Sequence, residues 1–136
     1  MRAIVCRDFA GPDALVVGEL PEPTPALHEI VLQVEAAAVS FMDRLMVSGA
    51  YQMRPQLPFA PGTDAAGVVT AVGEHVSAFA VGDRVIAFAP ACFASHVVVS
   101  ASAVTKRPGD LDAAATASVP VAFLTAFYSL IELGQL

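Results

Sequence analysis

The sequence predicts a mainly β fold with short helices, and three observations carry that expectation. Short β-rich runs alternate with Gly and Pro turn signals through the first hundred residues, the spacing of a barrel or sandwich rather than of repeated βαβ units. One brief segment after Phe41 changes to helical periodicity. Beyond Arg107-Pro108-Gly109 the alternation gives way to capped helical segments.

AIVC (residues 3–6), LVVGEL (15–20) and EIVLQVEAAAV (29–39) form the first three expected strands. The PEPTPALH segment between the second and third has three prolines, which cannot donate ladder hydrogen bonds, so it must be a surface connection. In the third strand Ile30, Leu32 and Val34 fall on one face and Val31, Gln33 and Glu35 on the other. Met42, Leu45 and Met46 recur at helical spacing and predict a short helix stopped by Ser48-Gly49. GVVTAVG (67–73), DRVIAF (83–88) and ASHVVVS (94–100) resume the strand pattern and would close the barrel. Gly62, Gly67, Gly73 and Gly82 are assigned to strand ends and chain reversals. Asp110 is expected to cap a helix through Ala117, and Ser118, with Pro120 in the first turn, a second helix ending near Gly134.

A chain of 136 residues, 56% of them apolar, can bury one real core but is short for two ordinary domains. Its formal charge of −6, seven basic against thirteen acidic side chains, offers no electrostatic footprint for nucleic acid or an anionic membrane. Arg7 and Asp8 interrupt the apolar N-terminal run too early for an export signal. Cys6 and Cys92 are the only cysteines and are expected to be reduced and buried, which favours the cytoplasm. Residues 113–131 carry no charge and approach spanning length. Ser118 and Pro120 divide that stretch, so it reads as a pair of core-packed helices and no membrane partner is expected.

Four motifs occur in order: D-x-x-x-x-S-G-x-Y ending at Tyr51, P-G-x-D-x-A-G at residues 61–67, V-G-D-R-V at 81–85, and F-A-S-H-V-V-V at 93–99. With them the chain resembles, over nearly its whole length, the N-terminal catalytic domain of the medium-chain dehydrogenase/reductase superfamily, in particular its quinone oxidoreductase (zeta-crystallin-like) branch. The resemblance implies a GroES-like, partly open β-barrel over residues 1–118. Residues 119–136 would begin a linker helix toward a Rossmann nucleotide-binding domain that these residues do not include. No dinucleotide fingerprint occurs: Gly62 to Gly67 has the wrong internal spacing and follows no convincing strand. The chain is therefore expected to be a fragment, whether from truncation, proteolysis or a gene for this half alone.

In zinc alcohol dehydrogenases of the superfamily a cysteine stands at the position matching Ser40, and Gly-His-Glu at the positions matching Gly62-Thr63-Asp64. Ser40 and Thr63 supply neither the thiolate nor the imidazole that zinc favours. Two cysteines also cannot form the four-cysteine structural lobe. No zinc is expected. Cys92 and His96 lie in strand context without further ligands, so no metal site is read there, and His28 and His75 read as solvated loop residues.

Without a Lewis-acid metal the acceptor must be intrinsically electrophilic, so the resemblance implies an NADPH-dependent enzyme that passes hydride to a quinone or α,β-unsaturated carbonyl. It places Ser40 and Tyr51 in the cleft as catalytic and cofactor-positioning residues, with Tyr51 donating to the acceptor oxygen. Thr125, in L-T-A-F-Y, would contact the nicotinamide. The family usually has asparagine where this chain has Ser40. Each residue also has a structural reading: Asp43 ordering the short helix, Asp64 satisfying backbone donors, and Thr125 bonding back to a preceding carbonyl. An enoyl-thioester reductase and a non-enzymatic GroES-like interaction module remain open. Phe123, Leu124, Phe127 and Ile131 would form an exposed apolar face on the last helix, through which the isolated chain is expected to self-associate.

Overall fold

A computed structural model describes residues 1–109 and 111–136. Strands β1 (Arg2–Val5) and β2 (Val16–Glu19) form an antiparallel pair, Val5 opposite Val16. Five further strands are β3 (Glu29–Ala38), β4 (Asp64–Val72), β5 (Arg84–Phe88), β6 (His96–Ser100) and β7 (Val104–Lys106). They make one antiparallel sheet in the order β6-β3-β4-β5-β7. Among the described residues no ladder joins β6 to β7, so the mainly β, partly open architecture is as expected but the strands do not close a barrel. The sequence does not announce β7, which pairs with β5 through only three residues.

Ile30, Leu32, Val69, Val85, Val97 and Val99 are buried together as the main core, each contributing about 1.5–3 kcal/mol relative to an exposed position. Val34 packs against them, as the alternation of β3 predicts. Val31 is buried too, outside that cluster, so the opposite face is not uniformly exposed.

The β3–β4 ladder carries two irregularities. Val31 pairs with Ala71 and Leu32 with Val69, leaving Thr70 as an extra residue in β4. Val34 pairs with Gly67 and Ala36 with Ala66, leaving Glu35 as an extra residue in β3. The two offset one another, and Ala38 arrives opposite Asp64. Thr70 Oγ1 donates to the Val31 carbonyl at 3.3 Å. Glu35 Oε2 accepts from Arg107 Nη1 at 2.7 Å, and the Arg107 side chain is only 6% exposed.

Strand β4 begins at Asp64, three residues before the expected start. Gly67 therefore lies inside a strand and not at a reversal, and its role is close approach: a Cβ there would overlap the Gln33 carbonyl oxygen.

Helix α1 (Phe41–Val47) matches the expected short helix. Helix α2 (Ala113–Ala117) is capped by Asp112, whose Oδ1 accepts from the Ala115 N–H at 2.7 Å. That corrects the assignment of the cap to Asp110, which lies outside the described residues. Only Asp112 stands three residues before the N–H that the cap bonds. Helix α3 (Val119–Phe127) follows at once and has Pro120 in its first turn. Ser118 does not cap it as expected. Its backbone is already helical, and its hydroxyl donates back to the Ala115 carbonyl at 2.7 Å. A π-helical stretch, Tyr128–Leu133, extends α3 to Gly134. Among the described residues no helix is long and apolar enough to cross a membrane.

Candidate active site

The offset bulges bring the end of β3 beside the start of β4, and the chain then turns into α1 at Ser40. The Ser40 N–H donates to Asp43 Oδ2 at 2.7 Å and the Ser40 hydroxyl to the same oxygen at 2.8 Å. The Asp43 N–H returns a longer bond to Ser40 Oγ at 3.4 Å. This is a reciprocal capping box written in the sequence as S-x-x-D, an arrangement worth about 1 kcal/mol to a helix. It fixes where α1 starts and therefore where Met42 points.

Asp43 is 3% exposed and Asp64 2%. Among the described residues each has one oxygen with a partner and one without, and the buried Thr63 hydroxyl has no partner either. A buried polar atom without a partner costs about 1–3 kcal/mol. Three such atoms on neighbouring elements mark this as the least relaxed part of the core. Asp64 Oδ2 accepts from the Val121 N–H at 3.3 Å, tying β4 to the first turn of α3. Burial pushes the Asp64 carboxyl up to about 6, the Val121 N–H opposes that, and the Asp43 charge adds to it. Cys92 is fully buried, its Sγ 3.0 Å from the Ala89 carbonyl. Burial pushes its thiol up to about 12, with Asp64 and Asp43 contributing, so it is no ready thiolate.

Beside this cluster, α1, β5 and α3 enclose a cleft of about 320 Å³ lined by Met42, Phe88, Pro120, Val121, Leu124 and Thr125. Thr125 is exposed, and its hydroxyl makes no hydrogen bond among the described residues, so it is not bonded back to its own helix. Tyr51 does not line this cleft. It sits half-buried on the loop after α1, its N–H donating to the Leu45 carbonyl at 3.2 Å. Of the three residues the resemblance places in the cleft, Thr125 lines it, while Ser40, two residues before Met42, and Tyr51 are not among its walls. Sequence reasoning gave Asp64 the satisfaction of backbone donors and the structure supplies one. It missed that the donor belongs to α3, for which the only sequence signal is an acid set in an otherwise small, apolar run.

The alcohol dehydrogenase GroES-like domain matches residues 26–113. The chain belongs to that family. Quinone oxidoreductase from Lama guanicoe is 37% identical over 135 residues, 97% of this chain and 41% of the relative. The Homo sapiens quinone oxidoreductase is 34% identical over the same shares. Among solved structures, Escherichia coli quinone oxidoreductase complexed with NADPH superposes with a TM-score of 0.90 at 30% identity, covering 96% of this chain and 40% of that one. The human synaptic vesicle membrane protein VAT-1 homolog-like protein gives 0.97 at 32%, covering 100% and 44%. This GroES-like domain therefore has oxidoreductases as relatives, and it spans 41% of the length of the quinone oxidoreductases it matches.

Proposed function

We propose that this GroES-like domain is the catalytic-domain half of a zinc-independent, NADPH-dependent oxidoreductase that transfers hydride to a quinone or α,β-unsaturated carbonyl. Residues 1–118 form the catalytic domain, and 119–136 begin the helix linking it to a nucleotide-binding domain. The observation that carries the proposal is the cleft between α1 and α3, with apolar walls of Met42, Phe88, Pro120 and Leu124 and one unengaged hydroxyl on Thr125. Such a slot suits a flat, weakly polar ring. The likeness to an NADPH-complexed quinone oxidoreductase supports that reading. Two buried free thiols suit a reducing, cytoplasmic setting.

NADPH supplies the hydride from C4 of its nicotinamide. The chain's own contribution is positioning. Thr125 would hold the nicotinamide, and Phe88 and Leu124, as apolar walls of the cleft, would exclude water beside it. Ser40, its hydroxyl committed to Asp43, orders α1 and acts on the site through Met42. Tyr51 donates to the acceptor oxygen from the neighbouring loop. The donor set does not suit catalytic zinc: the Ser40 hydroxyl is engaged, Thr63 offers only another hydroxyl, and Asp64 already has one oxygen bonded to the Val121 N–H.

The test is NADPH oxidation by this domain joined to its nucleotide-binding domain, with 1,4-benzoquinone and an enoyl thioester as alternative acceptors. We expect turnover with the quinone that survives chelation and falls about tenfold in Thr125→Val, the loss of one well-placed hydrogen bond. Turnover with the thioester alone would identify an enoyl-thioester reductase, and hydride transfer to neither a non-enzymatic interaction module. One observation favours the interaction module: α3 and its extension leave Phe123 65% and Phe127 55% exposed, with Leu124, Leu130 and Ile131 beside them. We accordingly expect the isolated domain to self-associate. Light scattering should show a mass that rises with concentration and returns to one chain in Phe123→Ser/Phe127→Ser.

A further inference from the structure

His28 and His75, which read from the sequence as separately solvated, face each other across the base of the sheet. His75 Nδ1 stands 3.3 Å from His28 Nε2, and the ring centroids are 4.8 Å apart with planes inclined at 59°. Both residues are exposed, although 47 positions separate them in the chain. Backbone hydrogen bonds fix the two segments independently of the rings. The His75 N–H donates to the Leu27 carbonyl at 2.9 Å, the Gly73 N–H to Glu29 at 2.8 Å, and the Ala101 N–H to the His28 carbonyl at 3.0 Å. Gly73 permits this approach, because a Cβ there would overlap the Ala26 carbonyl oxygen. The pair lies on an open cleft of about 380 Å³ shared with Ser77, Ser100 and Ser102, and none of these residues lines the α1–α3 cleft.

Two neutral imidazoles at this separation share one proton, which is a weak bond where water competes. The same separation suits another occupant. Two Zn–N bonds of about 2.0–2.1 Å at a tetrahedral angle place their nitrogens about 3.3–3.4 Å apart. We propose that His28 and His75 form a two-imidazole site for a borderline divalent cation of the Zn²⁺ type, its remaining positions filled by water or a cleft serine hydroxyl. Binding engages the lone pairs of His75 Nδ1 and His28 Nε2, so the one shared proton moves to the outer nitrogen of the ring that carried it, the other ring being protonated on its outer nitrogen already. The exposed rings are free to turn onto the ion, and the backbone frame supplies the preorganisation. The ion would staple residues 26–28 to the turn after β4. Hard cations such as Mg²⁺, which favour oxygen, are not accommodated.

Calorimetric titration of the 136-residue chain with ZnCl₂ near neutral pH, together with histidine-ring NMR, tests this. One saturable Zn²⁺ per chain is expected, with ring signals of His28 and His75 shifting and those of His96 unmoved. His28→Gln and His75→Gln should each weaken binding about tenfold or more, since each removes one of two protein ligands. His96→Gln, at the other surface histidine, where Nδ1 lies 3.9 Å from Glu22 Oε2, should leave it unchanged. MgCl₂ should give no saturable heat. No saturable Zn²⁺ heat, affinity unaffected by both His28→Gln and His75→Gln, or binding lost in His96→Gln would each overturn the assignment. Both substituted positions are exposed, so folded variants are expected, and the NMR spectra verify that directly.

Discussion

Gly67→Ala should destabilise the domain by about 3 kcal/mol or more, a large share of the stability of a chain this size. The added methyl would overlap the Gln33 carbonyl oxygen and crowd Val34 Cα at 3.2 Å, both in the partner strand's backbone. Neither can rotate away as a side chain could. Relief requires β3 and β4 to separate, which would break the ladder that buries Leu32 and Val69. Gly82→Ala is the matched control, because Gly82 has φ of +96° but nothing within 4 Å of an added Cβ. It should cost only about 1–2 kcal/mol, the conformational penalty alone. Urea denaturation followed by circular dichroism measures both. Equal losses in the two variants would mean that the strands tolerate the methyl and that close approach is not the reason for glycine at position 67.

Asp64→Asn should change how stability depends on pH. An acid whose folded pKa of about 6 exceeds its unfolded value of 3.8 binds more protons folded than unfolded between those values. Its contribution to stability is therefore greatest below about pH 4, declines as pH rises through 6, and is lost above that. Asparagine keeps an oxygen for the Val121 N–H but carries no charge to desolvate. The variant should thus gain on the parent by about 1–2 kcal/mol between pH 4.5 and 7.5, after allowance for partial solvent screening. Urea midpoints at the two pH values decide it. A difference independent of pH would show that Asp64 titrates normally and that the orphaned Oδ1 is solvated.

The strands that the sequence made legible are β-rich runs of five residues or more bounded by turn signals, such as Glu29–Ala38 with its partial alternation and Arg84–Phe88 with its continuous apolar run. The start of β4 was hidden because Gly-Thr-Asp-Ala-Ala-Gly has the composition of a turn. Its last glycine, Gly67, is required instead by the closeness of β3, a tertiary fact. β7 is too short to show a period, and its three residues are strand only because β5 lies beside them. In the site, Asp43 was readable as ordering α1 because a capping box is local, whereas Ser40 was assigned to the cleft and its part in the cap was not read. The Asp64–Val121 bond spans 57 residues and the histidine pair 47, and no local pattern encodes either. The resemblance grouped Tyr51 with Ser40 and Thr125, whereas only Thr125 is among the cleft's walls and the loop after α1 carries Tyr51.

The paired bulges of β3 and β4 have a consequence for changes in chain length. One extra residue in each strand cancels the other, so the core pairing Leu32–Val69 and the site pairing Ala38–Asp64 lie on opposite sides of Glu35. Deleting Glu35 would remove the bulge and let Ala36 follow Val34 directly, opposite Ala66 and Gly67, so both halves of the ladder would keep their partners. Arg107 would lose its only carboxylate partner among the described residues at the same time. The bulge is thus the place where β3 can lose a residue without losing its register, and what the deletion would remove is the carboxylate held by the buried Arg107 side chain.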